Sequence, residues 1–125
     1  MLNTKDALAT IAVKSVIDAR RFYGLVLGLT VEDTPEEGVI GVKSGSTTIL
    51  VYESEFAGTN KATAAIWIVG TDLDAIVATL KERGVTFEHY DFPGTTRKGD
   101  IHEAGHTRVA WLKDPDGNIL SLVNG

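Results

Sequence analysis

Residues 109–123 decide the fold, and their sequence is VAWLKDPDGNILSLV. Two apolar runs, 109–112 and 119–123, flank a segment in which Pro115 sets φ at about −65° and Gly117 permits positive φ. The side chains of Asp114 and Asn118 are of the kind that hydrogen-bond to turn backbone. The stretch therefore predicts a β-hairpin of two buried strands.

The composition of the whole chain predicts one compact domain, residues 1–125, and excludes several kinds of partner. With 125 residues and no cysteine, the chain is long enough for one core and has no disulfide or thiolate chemistry. No apolar run is long enough to cross a bilayer, and the lack of cysteines agrees with a reducing compartment, so we expect a cytoplasmic protein without membrane partners. The net charge of −5 and the scattered Lys and Arg residues predict no nucleic-acid partner.

The hydrophobic periodicity changes along the chain in an order that occurs twice. A first module, about 7–54, has a strand at 8–13, a helix at 18–27 with Asp18 as N-cap, and strands at 30–33, 39–43 and 47–53. After a linker, about 55–63, a second module, about 64–125, has a strand at 64–69, a helix from Asp72 to Gly84, and strands at 86–89, 107–113 and 118–123. The stretch 92–106 is predicted to be an irregular binding loop.

Two motifs together resemble a known superfamily. Phe22-Tyr23 before Leu27-Gly28, combined with Asp-Pro-Asp-Gly-Asn at 114–118, is similar to the vicinal-oxygen-chelate superfamily, which includes glyoxalase I, bleomycin-resistance proteins and extradiol dioxygenases. The resemblance implies an α+β fold in which two βαβββ modules form curved mixed sheets around a cleft. It also implies that two chains pair as a homodimer, which would cover exposed strand edges.

The family often holds a divalent metal at four places, on the first and last strands of each module. Counting back from Phe22-Tyr23 and from Arg83-Gly84 puts the two first-strand places at Leu8 and Ala65. Counting onward from Asp114-Pro115 puts the last-strand place of the second module at Ser121, and its counterpart in the first module falls near Leu50. Metal ions of this kind need carboxylate oxygen or imidazole nitrogen, which none of these side chains supplies. We therefore predict no metal at the family's positions and no cofactor.

Apolar residues at these places predict instead a small-molecule cleft. Strand alternation and the resemblance predict which residues line it. They are Leu8, Leu50, Tyr52, Ala65, Trp67, Val109, Trp111 and Ser121. If both tryptophans lie in one cavity, their indole rings would stack on a planar ligand. In the alternative interpretation, both indoles fill the core beneath the helices.

The segment His102-Glu103-Ala104-Gly105-His106 matches the H-E-x-x-H pattern of zinc proteases. That chemistry requires a helix, and Gly105 together with the following β-run argues against one. The same residues, with Asp100, are candidates for acid-base catalysis from a loop, or are solvated loop polarity. Glu53, Glu55 and His89 are lesser candidates.

Three functions are therefore open. The first is a small-molecule-binding protein of the glyoxalase/bleomycin-resistance type without the family's metal site. The second is a lyase or isomerase that acts on a small oxygenated substrate through the catalytic candidates His102, Glu103 and His106. The third is a metal-dependent enzyme that uses His102 and His106.

Overall fold

The computed structural model describes residues 1–125 and divides them into two compact units, Met1–Thr59 and Asn60–Gly125. Each unit is built on one sheet of mixed strands with few helices, so the predicted α+β class is confirmed. The division falls within the stretch 55–63, which the sequence identified as the linker. No helix has both the length and the apolar character needed to span a membrane.

The first unit contains one four-stranded sheet and one helical segment. Its elements are a 3-10 turn Leu2–Thr4, β1 Ala9–Val13, α1 Val16–Ala19, a π-helical continuation Arg20–Val26, β2 Thr30–Asp33, β3 Val39–Ser44 and β4 Thr47–Glu53. The strand order is β1-β4-β3-β2, with β1 parallel to β4 and the other pairs antiparallel. This is the predicted βαβββ order.

The helical segment begins two residues before the predicted N-cap. Ser15 is the N-cap, and its hydroxyl accepts a hydrogen bond from the backbone N–H of Asp18 at 3.4 Å. The carboxylate Oε1 of Glu53 accepts from the N–H of Val16 at 3.2 Å, so a strand end also caps this helix. Asp18 therefore lies in the first turn, where its negative charge favours the helix dipole.

One face of the first sheet forms the core of this unit. Alternate residues of three strands are buried there because successive side chains point to opposite faces. They are Ile11, Val13, Ile40, Val42, Ile49 and Val51. Phe22 and Tyr23 are buried on the helical segment, and their rings meet edge to face at 5.1 Å.

The second unit contains a six-stranded sheet. Its elements are β5 Thr63–Ile68, a 3-10 turn Gly70–Asp72, α2 Leu73–Glu82, β6 Phe87–Glu88, β7 Thr96–Lys98, β8 Ile101–Ala104, β9 Thr107–Lys113 and β10 Ile119–Val123. The order is β5-β10-β9-β8-β7, and β6 also pairs with β9. The prediction of an irregular 92–106 is wrong, because β7 and β8 form a hairpin there; both are too short to give a clear period in the sequence.

The β9–β10 connection has the geometry that its sequence demands. Asp114 Oδ1 accepts from the N–H groups of Asp116 and Asn118, both at 2.9 Å, and Oδ2 accepts from Asn118 Nδ2 at 2.8 Å. Gly117 has φ of 84°. Asp114 and Asn118 are buried, so this small polar network fixes the register of the two strands that it joins.

The register of the second sheet assigns its residues to two faces. Arg108 on β9 donates to Asp74 on α2 at 2.8 and 2.9 Å, which identifies the face that packs against α2. Alternate residues of a strand share a face, so Ala110 and Leu112 lie on the same face as Arg108. Both of these apolar side chains are fully buried. Trp111 and Val109 therefore point to the opposite face.

Candidate functional site

An aromatic cluster covers the face of the second sheet that points away from α2. It consists of Tyr90, Phe92, His102 and Trp111. The Trp111 ring lies 5.2 Å from Tyr90, 5.6 Å from Phe92 and 5.0 Å from His102, measured between ring centroids. Tyr90 and His102 meet the indole edge to face, whereas the Phe92 ring is tilted at 49°. Phe92 is half exposed and forms the outer side of the cluster.

The hydroxyl of Tyr90 is buried within the protein without a hydrogen-bond partner. Leaving such a group unpaired costs about 1 to 3 kcal/mol. Tyr90 precedes Phe92 in the connection between β6 and β7, and its ring packs against Trp111. The cluster therefore combines apolar ring faces with one polar group whose hydrogen-bonding capacity is unused.

A chain of hydrogen-bonding groups leads from the surface to the cluster. Nε2 of His102 lies 3.1 Å from Nδ1 of His89, and Nε2 of His89 lies 3.2 Å from Oδ1 of Asp100. Lys81 on α2 contacts Oδ2 of Asp100 at 2.7 Å. We call Asp100, His89 and His102 the relay.

The local charges favour an ionised Asp100 and a neutral His102. The hydrogen bond and charge of Lys81 hold the pKa of Asp100 below its usual value, against the opposing effect of burial. Burial lowers the pKa of His102, and the nearby charges of His89 and Arg97 lower it further, while Asp91 acts in the opposite direction. His102 is therefore suited to accept a proton rather than to carry one permanently.

The predicted lining residues of the second module fall on both faces of its sheet. Residues that pair across neighbouring strands share a face of the sheet. Because Ser121 pairs with Trp111 and Val109 pairs with His102, the three predicted residues Val109, Trp111 and Ser121 lie on the face of the aromatic cluster. Ala65 and Trp67 pair with Leu120 and Leu122, which pair in turn with Leu112 and Ala110 on the face toward α2. The two tryptophans thus lie on opposite faces, and the prediction that they share one cavity is wrong.

This error has a local cause. The β5–β10 pairing shifts register between Ile119 and Leu120, so that Thr63 is opposite Ile119 while Ala65 is opposite Leu120. A shift of one residue moves every following side chain to the other face. Ile66 and Ile68, rather than Ala65 and Trp67, share the face of Ser121 and Trp111.

The other catalytic candidates do not join His102. Glu103 forms ion pairs with Lys98 Nζ at 3.1 Å and Arg108 Nε at 3.2 Å, and these partners, Lys98 first, lower its pKa. As the next residue on β8, it points to the face opposite His102. His106 is exposed in the turn between β8 and β9. The motif 102–106 thus lies on a strand and a turn, without the helix that zinc-protease chemistry requires.

In the first unit, the predicted residues lie away from the buried core. Leu50 and Tyr52 on β4 pair with Thr10 and Ala12 on β1, opposite to the face that buries Ile49 and Val51. Leu8 precedes β1 and is half exposed. Glu53 is engaged at the N-terminus of α1, and Glu55 is exposed.

The metal that the resemblance implies does not fit these residues. No side chain on β1, β5 or β10 offers a carboxylate or an imidazole, whichever face of the sheet it points to. On β4, the only such group is Glu53 at the end of the strand. The structure brings together no group of three or more His, Asp or Glu side chains suited to a metal ion. The donor set therefore lacks the ligands that such ions prefer.

Sequence reasoning missed Tyr90 and Phe92 and ranked His89 low. The sequence predicts a strand over 86–89, but only Phe87–Glu88 forms one, and His89 follows it. The sequence did contain one signal, the composition of 89–92. Three of these four residues, His89, Tyr90 and Phe92, have ring side chains. Their meeting with His102 and Trp111 depends on the β7–β8 hairpin, which the sequence did not reveal.

Comparison with known proteins gives a consistent result. Residues 7–122 match the family described as the Glyoxalase/Bleomycin resistance protein/Dioxygenase superfamily. No curated protein matches the chain.

Several solved structures are similar in fold. Oxidase ChaP-H2 is 23% identical, with a TM-score of 0.69 and coverage of 97% of this chain and 94% of that one. A lactoylglutathione lyase from Agrobacterium tumefaciens is 13% identical, with a TM-score of 0.69 and coverage of 95% and 92%. The fosfomycin resistance protein FosX from Mesorhizobium loti is 11% identical, with a TM-score of 0.68 and coverage of 96% and 91%. At these identities the similarity concerns the fold alone.

Proposed function

Because the match covers residues 7–122, the chain belongs to the glyoxalase/bleomycin resistance protein/dioxygenase superfamily, and we propose that it is a small-molecule-binding member whose ligand lies against the aromatic cluster. The ligand is a planar compound with at least one polar atom. The family's divalent metal takes no part in holding it, since the strands that would supply its ligands carry a single carboxylate, Glu53, and no imidazole.

The observation that carries this proposal is the unpaired hydroxyl of Tyr90 beside the Trp111 ring. Small-molecule sites combine apolar and aromatic walls with a few polar groups that fix orientation. The rings of Phe92 and Trp111 supply the walls, and the Tyr90 hydroxyl supplies a donor that a ligand oxygen would satisfy. Val109, which is partly exposed, and Ser121, which is buried, lie on the same sheet face as Trp111.

The two tryptophans permit a matched test because they lie on opposite faces of one sheet. Trp67→Phe leaves Trp111 as the single indole, and Trp111→Phe leaves Trp67. The probe is 4-nitroanisole, a planar compound that quenches indole fluorescence on contact. We expect saturable quenching in Trp67→Phe and only collisional quenching in Trp111→Phe, with circular dichroism as the folding control. Equal quenching in both proteins, or no saturation in Trp67→Phe, would contradict binding at the cluster.

The two enzymatic alternatives differ in their support. A lyase or isomerase with acid-base groups is favoured by one observation, the relay that ends at His102. An enzyme that uses a metal on His102 and His106 has no such support, because one imidazole is buried in the cluster and the other is exposed in a turn.

Pairing of two chains is a further part of the proposal. β5 is an edge strand of its sheet, and Ile66 and Ile68 on it are exposed. Exposed apolar edges are commonly covered by another chain. The cytoplasmic location and the lack of nucleic-acid and membrane partners stay predictions from composition.

A further inference from the structure

The relay has one consistent arrangement of protons when both imidazoles are neutral. Asp100 is ionised and can only accept, so Nε2 of His89 must carry a hydrogen and donate to it. Nδ1 of His89 is then an acceptor, so Nε2 of His102 must donate to it. This leaves Nδ1 of His102 as an unprotonated base at the aromatic cluster.

A proton added at His89 reverses this arrangement. Cationic His89 donates from both nitrogens, so Nε2 of His102 becomes the acceptor and its Nδ1 carries the hydrogen. His102 Nδ1 is thereby changed from a base into an acid without any movement of heavy atoms. One proton on the relay therefore determines which role His102 has.

The relay also connects a buried site with solvent. The exposed fraction of the side chain is 57% for Lys81 and 26% for His89, while His102 is only 3% exposed. A proton held by His102 would be trapped in the cluster if that ring were isolated. Through His89 it can pass to water, which is the requirement for repeated acid-base cycles.

We propose that Asp100, His89 and His102 form a proton relay that makes Nδ1 of His102 the acid-base group of this site, acting on a planar ligand with one ionisable hydroxyl. The proposal rests on the proposed function. When such a ligand binds, its O–H bond breaks and an N–H bond forms at Nδ1 of His102. The proton on Nε2 moves to Nδ1 of His89, whose Nε2–H remains directed at the Asp100 carboxylate. The ligand is left as an oxygen anion at the aromatic cluster.

The surrounding charges support an anionic bound ligand. Arg97 lies opposite His102 in the pairing of β7 with β8. Its charge lowers the pKa of His102, as the charge of His89 does. The charge of Asp91 raises the pKa of His102. The negative charge of Asp100 is compensated by its ion pair with Lys81. A bound oxygen anion would thus compensate for the positive charge that the relay gains. In a buried site with low dielectric, such compensation is stronger than in water.

The test uses 4-nitrophenol, whose phenol and phenolate forms absorb at different wavelengths, and compares it with 4-nitroanisole, which has no ionisable hydroxyl. At constant pH, we expect binding to the wild type to raise the ratio of phenolate to phenol about tenfold, a shift of one pKa unit. In His102→Gln and in Asp100→Asn the ratio should return to that of the free probe. His106→Gln, an exposed histidine four residues away, should behave as the wild type. Asp100→Asn and His106→Gln, whose positions lie outside the aromatic cluster, should still bind 4-nitroanisole.

The outcomes separate this proposal from the proposed function. If neither probe binds, both proposals fail. If both probes bind but the ratio does not change, or if His102→Gln retains the tenfold change, the relay is wrong and the binding function stands. Asp100→Asn serves if His102→Gln does not fold, because Asp100 lies in the β7–β8 turn and outside the aromatic cluster.

A measurement without ligand tests the relay directly. Nitrogen NMR of the histidine rings, recorded at a pH where they are neutral, should show hydrogen on Nε2 of both His89 and His102. Hydrogen on Nδ1 of either neutral ring would overturn the proposal. In Asp100→Asn the preference of His89 for the Nε2–H tautomer should be reduced, because the amide has lost the carboxylate's charge.

Discussion

Tyr90 places a polar atom where it has no partner, so its contributions to stability and to binding should have opposite signs. In Tyr90→Phe the ring contact with Trp111 is retained and the unpaired hydroxyl is removed. We expect the free energy of unfolding to rise by about 1 kcal/mol, because a buried group without a hydrogen bond is lost. The affinity for 4-nitroanisole should fall about threefold to tenfold, the equivalent of one hydrogen bond. Urea denaturation and fluorescence titration measure the two effects. A loss of stability would show that the hydroxyl is bonded in the folded protein.

His102 gives stability a defined dependence on pH. Its pKa is lowered in the folded protein by burial and by the charges of His89 and Arg97, so the unfolded chain binds a proton more readily. The contribution of His102 is therefore complete above the unfolded value of about 6.5 and is lost as the pH falls below it. We expect the free energy of unfolding to rise with pH in the acidic range below about 6.5 and then to level off.

The variant His102→Gln isolates this contribution from the other groups that titrate in the same range. The difference in stability between wild type and variant should decrease as the pH is lowered below about 6.5. His106→Gln provides the control, because that side chain is exposed. A difference that is constant with pH would contradict the neutral, buried state of His102.

At the scale of elements, the β9–β10 turn tests how far a local sequence fixes a strand pair. Asp114→Ala removes the acceptor of three hydrogen bonds, two of which come from the buried Asn118. We expect a loss of about 2 to 4 kcal/mol in the free energy of unfolding, measured with urea. Asp72→Ala is the matched control, since Asp72 is the N-cap of α2 but makes no side-chain hydrogen bond there. Its effect should be about 0.5 kcal/mol or less. Equal effects of the two substitutions would mean that the turn network does not hold the strands.

Elements with a strong local pattern could be predicted from the sequence. β2, β4 and β9 have the predicted bounds, and α2 begins directly after Asp72, as expected. The hairpin β7–β8 could not be predicted, because strands of three and four residues carry too little periodicity and gain their order from pairing with β9.

The candidate site was predictable only in part, for the same reason. The resemblance predicts that Trp111 and Val109 share a face, and the count from Asp114-Pro115 adds Ser121; the β9–β10 register places all three on one sheet face. Trp67 was misplaced because the parallel partner β5 joins β10 through a register shift that leaves no mark in the sequence. His102 was identified as a candidate, but its contact with His89, which follows β6, depends on the pairing of β6 and β8 with the same strand, β9.

At the scale of the whole molecule, the edge of the second sheet predicts the oligomeric state. If two chains pair through β5, light scattering coupled to size exclusion should give twice the chain mass for the wild type. Ile66→Lys with Ile68→Lys should give the monomer, because lysine on an edge strand opposes pairing. Ile17→Lys changes an equally exposed isoleucine on α1 and should leave the dimer intact. A monomeric wild type would contradict the pairing, and a dimeric double variant would place the interface elsewhere.

The aromatic cluster and the relay both come from one continuous segment of chain, residues 89–111. The strand β10, which pairs with β9, lies outside this segment and contributes the buried residues Leu120 and Leu122. Replacement of residues 89–111 would therefore change the aromatic rings, the Tyr90 hydroxyl and both imidazoles of the relay together, while the rest of the sheet stayed the same. For directed evolution, this means that a library confined to the cluster and relay positions within 89–111 samples new ligand chemistries while the buried Ile101 and Ala110 and the β9–β10 turn stay intact.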